Sequence, residues 1–273
     1  MTAFQAVVLG IVQGLTEFLP ISSTAHLRIV PALAGWPDPG AAFTAVTQLG
    51  TMLAVVAYFW REILQITAAW VRGLVDRDVR SSAEYRIAWY VIFATIPIGV
   101  LGYAFSDQIE TGARNLWLIA TTLIVLGLVL FWADRVGRKE RDEDQIRLGD
   151  GLTVGLAQAA ALIPGVSRSG ATLTAGLFRG LTREAAARFS FLLSIPAVVL
   201  SGVFEARRIG DPGGPGAGVT GLATVLAFVV GYASIAWLLR YLTRHSTTIF
   251  VAYRVLVGGL LVVLLGTGAI AAT

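Results

Sequence analysis

The stretch EFLPISSTAH, residues 17–26, decides how this chain folds, because it places polar groups inside an apolar region. The residues before it, AFQAVVLGIVQGL (3–15), and after it, LRIVPALAGW (27–36), are both compatible with a lipid environment. Between them lie an acid, a histidine, three hydroxyl side chains and a proline. Since unpartnered polar groups are strongly unfavourable in hydrocarbon, this stretch predicts a helix break that is buried in protein or lines a wet cavity.

The composition of the whole chain indicates a membrane protein. Of its 273 residues, 56% are hydrophobic and 14% are charged, and the mean hydropathy is +0.73. A soluble domain of this length could not bury so much apolar surface. Six runs have about the 20 residues that a membrane span needs, and they lie near 43–60, 87–105, 116–133, 187–204, 218–239 and 248–270.

Composition and charge distribution also exclude several functions. The chain has no cysteine, which excludes disulfides, thiol catalysis and thiolate metal sites. Its net charge of +4 comes from basic residues between the apolar runs, so we expect no nucleic-acid partner. No signal peptide is predicted, because the N-terminus lacks a basic segment and a small-residue cleavage site.

The broken stretch has a counterpart in the second half of the chain. GIVQGLTEFLPISST (10–24) aligns with GLAQAAALIPGVSRS (155–169), apart from a one-residue gap on each side of the proline. In both places the apolar halves are too short to cross a membrane alone. We therefore predict two re-entrant helix hairpins, over residues 3–34 and 151–180, that each enter and leave on one side.

Three spans follow each hairpin, so the second half begins on the opposite face of the membrane. The predicted fold is an all-α polytopic membrane protein, a single domain over 1–273 with six transmembrane helices and two re-entrant hairpins. It forms an inverted-topology repeat, with the first repeat at 1–134 and the second at 150–270. In such repeats, broken helices place a binding site near the membrane midplane.

The distribution of basic residues predicts the orientation. Fifteen of the 21 basic residues fall in the predicted loops 61–86, 134–150, 179–188 and 240–244, and the opposite face of the membrane keeps only four, Arg28, Arg114, Arg207 and Arg208. Because cytoplasmic loops are enriched in Arg and Lys, we expect these four loops in the cytoplasm. Both termini and the opening of the first hairpin then lie outside.

The residues after the first break predict an anion site. Ser22 or Ser23 is a good helix N-cap, with Thr24 and His26 in the first turn. The first N–H groups of the following half-helix have no partner within the helix and point into the break.

The second break repeats this arrangement. Ser167 is the predicted N-cap, Arg168 and Ser169 follow on the first turn, and Thr172 lies one turn further. If the hairpins meet, a guanidinium fork, hydroxyls and two helix N-termini surround one space, which suits a phosphate group.

A carboxylate in such a site predicts a divalent cation. Gln13 and Glu17 are four residues apart, so both lie on one helical face just before the break. Because Glu17 alone would repel phosphate, it indicates Mg2+ or Ca2+, with Gln13 as a second oxygen ligand. The alternative reading is that Arg168 neutralises Glu17 as a buried ion pair.

At these residues the sequence resembles the undecaprenyl pyrophosphate phosphatase family of the bacitracin-resistance type. The stretches that carry the resemblance are QGLTEFLPISSTAH (13–26) and PGVSRSGAT (164–172), with lesser matches at LSIP (193–196) and YR (253–254). It covers essentially the whole chain. It departs at Gln13, where Glu is also frequent in the family, and at Ala25, where Gly is usual.

The resemblance implies a hydrolase of the bacterial plasma membrane. The reaction would convert undecaprenyl diphosphate to undecaprenyl phosphate and phosphate, recycling the carrier lipid for peptidoglycan synthesis and conferring bacitracin resistance. It also implies metal dependence at Glu17, diphosphate binding by Arg168, and catalysis by Ser23 and His26. His26 would act as a base toward Ser23 or water, or as an acid to the leaving group.

Two other functions compete with this one. A transporter or flippase for an anionic lipid phosphate would use the same inverted repeat and the same site. A non-catalytic scaffold of the cell-wall machinery would tolerate replacement of the polar residues at the breaks. The sequence does not decide whether the reaction passes through a phosphoserine intermediate or by direct attack of water on the diphosphate. It also leaves open whether the chain forms a homodimer.

Overall fold

The chain is helical in the regions that the structure describes. The computed structural model describes residues 1–105, 115–206 and 216–272, and these contain no β-strand. The helices are α1 Ala3–Thr16, α2 Ser23–Ala34, α3 Gly40–Tyr58, α4 Trp60–Val75, α5 Ala83–Ala104, α6 Leu116–Val136, α7 Leu148–Ala159, α8 Arg168–Phe178, α9 Arg183–Ala206, α10 Ala217–Leu242 and α11 Thr248–Gly266. The predicted all-α class is confirmed. Three basic residues assigned to the outer face, Arg114, Arg207 and Arg208, lie outside the described residues.

Four helices are long and apolar enough to cross a membrane, namely α5, α6, α10 and α11. The pair α3 and α4 adds a fifth candidate, bent by 77° at the break between the two helices. Within the described residues, length and composition therefore indicate a multi-pass membrane protein with four or five candidate spans. Helix α9, which covers the predicted span 187–204, is 24 residues long.

The prediction that residues 61–86 form a loop is wrong. Helix α4 occupies most of this region, and Phe59 at the bend belongs to the buried core. Ile63 packs against that core, and the ring of Trp70 contacts Trp89 of α5 with the ring centroids 6.0 Å apart. Charged residues mark the solvated face of an amphipathic helix as well as a loop, so charge alone did not distinguish the two.

The two hairpins pack against helices of the opposite half of the chain. Helix α1 packs on α10, and in the same way α7 packs on α5. Both contacts depend on a glycine at an equivalent repeat position. A Cβ on Gly10 would lie 2.6 Å from the carbonyl oxygen of Ala223, and a Cβ on Gly155 would lie 2.6 Å from that of Ala94. Helix α3 packs on α9 and α6 on α11, so contacts between the two halves extend beyond the hairpins.

Asp150, fully buried near the start of α7, joins both ends of the second hairpin. Its carboxylate accepts hydrogen bonds from Arg141 at 2.8 and 3.0 Å, from Arg179 at 2.7 Å and from the backbone N–H of Arg147 at 2.9 Å. Burial by itself raises the pKa of Asp150, but the hydrogen bonds from Arg141, Arg179 and Arg147 outweigh it and hold the pKa below its ordinary value of 3.8.

We expect Gly155→Ala to destabilise the fold, because the new methyl group overlaps the α5 backbone. Overpacking of this kind costs about 1–3 kcal/mol. Gly99→Ala is the matched control on α5, since nothing lies within 4 Å of a Cβ there. Thermal unfolding in detergent should show a lower Tm for Gly155→Ala alone. Equal Tm values for the two variants would contradict the close contact between α7 and α5.

We expect Asp150→Asn to lower the free energy of unfolding at neutral pH by about 1–2 kcal/mol, because the partly buried Arg141 and the exposed Arg179 lose their charged hydrogen-bond partner. The folded pKa of Asp150 is lowered, so its contribution is present at neutral pH and is lost as the pH falls through that pKa. The difference in Tm from the wild type should therefore shrink below about pH 4. Asp144→Asn, an exposed change in the preceding loop, is the control. A difference that stays constant with pH would contradict this assignment.

Candidate active site

Both helix breaks that the sequence predicted are present. Residues 17–22 separate α1 from α2, and residues 160–167, which begin with a 3-10 turn, separate α7 from α8. Pro20 and Pro164 lie within these breaks, where the missing N–H group and the restriction on the preceding residue oppose a continuous helix. The prolines thus account for the interruptions locally.

The two breaks end in the same cap geometry. Ser22 and Ser167 are the N-caps of α2 and α8, and both have positive φ values, 75° and 68°. Each cap hydroxyl accepts a hydrogen bond from the backbone N–H three residues later, at 3.4 Å in α2 and 3.1 Å in α8. Positive φ is uncommon for residues other than glycine and is often found at functional sites.

The centre of the site is a carboxylate shared by both hairpins. Glu17 Oε1 accepts a hydrogen bond from the guanidinium of Arg168, the first residue of α8. Glu17 Oε2 accepts from the hydroxyl of Ser23, the first residue of α2, at 2.5 Å and from the amide of Gln13 at 2.9 Å. Four of the predicted site residues therefore meet here, three from the first half of the chain and Arg168 from the second.

The other predicted hydroxyls lie in different places. Ser169 bridges the breaks, because its hydroxyl donates to the carbonyl oxygen of Leu19 at 3.0 Å. Thr24 is exposed at the start of α2. Thr172 is turned away from the breaks; its hydroxyl lies 2.5 Å from that of Ser190 on α9 and bonds a carbonyl of its own helix. Its geometry is that of a packing residue.

His26 does not contact Ser23 by a hydrogen bond. Its Nδ1 lies 2.7 Å from the carbonyl oxygen of Ser22, and its Nε2 lies 2.7 Å from the hydroxyl of Tyr253 on α11. The hydroxyl of Ser23 donates its hydrogen bond to Glu17 instead. In this arrangement the group placed to take a proton from Ser23 is Glu17.

Arg254 is a residue to which the sequence assigned no role. It is fully buried on α11 and donates hydrogen bonds only to main-chain carbonyl oxygens among the described residues. These belong to Pro20 in the first break, Gly165 and Val166 in the second, and Thr122 and Leu123 on α6, at 3.1–3.2 Å. An arginine inside a predicted span was the available signal. Its partners could not be predicted from the sequence, because every residue has a main-chain carbonyl and the residue type does not show which of them Arg254 contacts.

The donors beside the ion pair fit part of a divalent-cation site. Gln13 is fully buried, and its Oε1 has no hydrogen-bond partner. Together with the carboxylate of Glu17 it offers two oxygen ligands of the kind that Mg2+ and Ca2+ prefer, and substrate phosphate and water would have to complete the shell. Among the described residues no cluster of three Asp, Glu, His or Cys side chains suits a metal. A strong site made by protein ligands alone is therefore not indicated.

The whole arrangement can bind an anion and act on it. Two helix N-termini, whose N–H groups attract negative charge, lie near each other, because Arg168 and Ser169 at the start of α8 contact Glu17 and Leu19 of the first break. Arg168 supplies a guanidinium fork, which matches phosphate oxygens. Glu17 and Ser23 form a hydrogen-bonded pair of base and hydroxyl, the arrangement that activates a nucleophile.

Comparison with known proteins agrees with this chemistry. The chain is 56% identical to undecaprenyl-diphosphatase 2 of Frankia casuarinae, in an alignment covering 99% of this chain and 97% of the relative. It is also 56% identical to an undecaprenyl-diphosphatase of a Nocardioides species, in an alignment covering 98% of each chain. It is 50% identical to an undecaprenyl-diphosphatase of Nocardia farcinica, in an alignment covering 100% of this chain and 99% of the relative. Residues 6–260 match the family described as bacitracin resistance protein BacA. The chain belongs to this family.

Proposed function

We propose that the chain hydrolyses undecaprenyl diphosphate to undecaprenyl phosphate and inorganic phosphate. The observation that carries the proposal is the convergence of Arg168 and Ser23 on Glu17 between two helix N-termini. Relatives that are 50–56% identical over the full chain carry the name undecaprenyl-diphosphatase, which supports the same activity. The reaction returns the carrier lipid to peptidoglycan synthesis, and this fits a bacitracin-resistance family.

The diphosphate binds across the gap between the two breaks. The first-turn N–H groups of α2 and α8 and the hydroxyls of Ser22, Ser23, Thr24, Ser167 and Ser169 surround the phosphate oxygens. When substrate binds, the guanidinium of Arg168 releases the carboxylate of Glu17 and binds the diphosphate, which offers it more charge and more acceptor oxygens than one carboxylate. The exchange leaves Glu17 bonded to Ser23, ready to act as a base.

Ser23 is the proposed nucleophile, since its hydroxyl lies 2.5 Å from Glu17 Oε2. As Ser23 Oγ forms a bond to the terminal phosphorus, its proton passes to Glu17 and undecaprenyl phosphate leaves. Water then attacks the phosphoserine, phosphate departs, and Ser23 regains its proton. Arg168 and the helix N-termini stabilise the charge that spreads over the phosphoryl oxygens in each transfer. Direct attack by water, with Glu17 as base, is the alternative, and trapping of phosphoserine distinguishes the two.

A divalent cation, Mg2+ or Ca2+, completes the proposed site. Glu17 and Gln13 would hold it, and the orphaned Oε1 of Gln13 supports this assignment. When bound, the ion neutralises negative charge on the diphosphate.

The proposed membrane arrangement has six spans, α3, α5, α6, α9, α10 and α11, and two re-entrant hairpins at 3–34 and 151–180. The matching cap geometry of the hairpins and the exchanged packing of α1 on α10 and α7 on α5 support an inverted repeat of residues 1–134 and 150–270. The chain lies in the bacterial inner membrane, with both termini and the active site facing outside. The excess of basic residues in the loops assigned to the cytoplasm supports this orientation.

We expect purified protein in detergent to release phosphate from a polyprenyl diphosphate, and a chelator to reduce the release. Glu17→Gln and Arg168→Ala should each lower kcat/KM at least about 100-fold, because one loses the base and the other the stabilising charge. Glu84→Gln and Arg244→Ala, which change exposed residues away from the breaks, are matched controls. A well-folded wild type without phosphate release would contradict the proposal and favour a transporter of the lipid phosphate.

We expect a membrane-impermeant thiol reagent to label Pro37→Cys in intact cells, because the connection between α2 and α3 then lies outside. Asp144→Cys, in the loop before α7, should react only after the cells are permeabilised. Since the natural chain has no cysteine, each variant carries a single reactive thiol. Labelling in the opposite pattern would invert the proposed orientation.

A further inference from the structure

Tyr253 contacts the first hairpin from a distant helix. Its hydroxyl lies 2.7 Å from Nε2 of His26, while Nδ1 of His26 lies 2.7 Å from the carbonyl oxygen of Ser22. The two rings are nearly parallel, with an interplanar angle of 15° and centroids 5.5 Å apart. Both ring nitrogens of His26 therefore have a hydrogen-bond partner. Of the two partners, only the hydroxyl of Tyr253 can act either as donor or as acceptor.

These contacts determine the tautomer of His26. A carbonyl oxygen only accepts hydrogen bonds, so Nδ1 must carry the hydrogen. In the neutral imidazole Nε2 then has a lone pair, to which the hydroxyl of Tyr253 donates. If His26 takes up a proton, Nε2 becomes a donor and the same hydroxyl oxygen accepts. Tyr253 can therefore hold the ring in either protonation state, which phenylalanine could not do.

The second hairpin indicates that this contact is not needed for the fold. It forms the same cap, with positive φ at Ser167, although Ala171 stands where the first hairpin has His26. In both hairpins the carbonyl of the N-cap accepts a backbone hydrogen bond from that position, at 2.8 Å from Ala171 and 3.2 Å from His26. The additional bond from the histidine ring exists only beside Ser23, the hydroxyl that contacts the carboxylate.

Tyr253 is also carried by a well-anchored part of the chain. The next residue, Arg254, binds main-chain carbonyl oxygens of both breaks and of α6. Helix α11 is thereby tied to the segments that form the site. The hydroxyl of Tyr253 reaches His26 from this anchored position, so it can set the direction of the imidazole ring.

We propose that Tyr253 is a positioning residue for the hydrolysis. It sets the tautomer and the orientation of His26, and through His26 it holds the Ser22 carbonyl and the start of α2, where Ser23 lies. The inference rests on the proposed function, in which Ser23 at the start of α2 is the nucleophile.

A double-mutant cycle tests the proposal. Tyr253→Phe, His26→Gln and the double variant are compared for kcat and KM with a polyprenyl diphosphate in detergent. We expect Tyr253→Phe to lower kcat about tenfold, since it removes one hydrogen bond, while KM changes less than about twofold because the diphosphate contacts remain. Since Tyr253 acts through His26, the double variant should be no slower than His26→Gln alone.

Tyr232→Phe is the matched control, because this tyrosine on α10 is 44% exposed, close to the 41% of Tyr253. Activity of Tyr253→Phe equal to that of Tyr232→Phe would overturn the proposal. Losses that multiply in the double variant would also overturn it, since they show that the two residues act independently. If the wild type itself released no phosphate, the proposed function would fail instead.

A second readout does not require turnover. The chain has only two histidines, so 15N NMR of histidine-labelled protein resolves His26 once His245→Gln assigns the other signal. We expect a single tautomer with the hydrogen on Nδ1 in the wild type, and a mixture of tautomers in Tyr253→Phe. An unchanged tautomer in the variant would show that Tyr253 does not position the ring.

Discussion

A break in a buried helix leaves main-chain groups without their helical partners, and satisfying these groups is the constraint on which the site depends. Arg254 meets this constraint for both breaks at once, because one buried guanidinium donates to carbonyl oxygens of Pro20, Gly165 and Val166. Gly170 leaves room for this guanidinium, since a Cβ at that position would lie 2.8 Å from Arg254 Nη1. The two half-helices that begin after the breaks are thereby held close to each other.

Two breaks with matching cap geometry produce one asymmetric site. Ser23 and Arg168 occupy the first position of α2 and α8, after caps with the same geometry, yet one is a hydroxyl and the other a cation. The carboxylate between them comes only from the first hairpin, because the aligned stretch 155–169 contains no acidic residue. Had the two breaks been identical, two like groups would have faced each other. The difference between the two aligned stretches supplies the base, the hydroxyl and the cation of the proposed reaction.

The local features of the site could be predicted, and the partners of several side chains could not. Prolines and serines at both breaks predicted the interruptions and the caps, since these depend on backbone preferences of neighbouring residues. Thr172 was expected to contact the substrate, but its hydroxyl forms a hydrogen bond with that of Ser190 on α9. His26 was expected to lie beside Ser23 as a base, but its ring forms a hydrogen bond with Tyr253, which is 227 positions away in the chain. In both cases the distant helix supplies a partner that local spacing does not reveal.

The sequence by itself determined the membrane environment, the all-helical class, the two breaks and the set of polar residues gathered at them. Composition, hydrophobic run length and the chemistry of proline and serine act over short distances, so they can be interpreted without knowledge of the fold. Only the tertiary structure decided that α4 is a helix bent from α3, that Glu17 is the partner of Ser23, and that Arg254 joins the breaks. These contacts depend on how helices from different parts of the chain pack together, and the periodicity of one segment does not encode that packing.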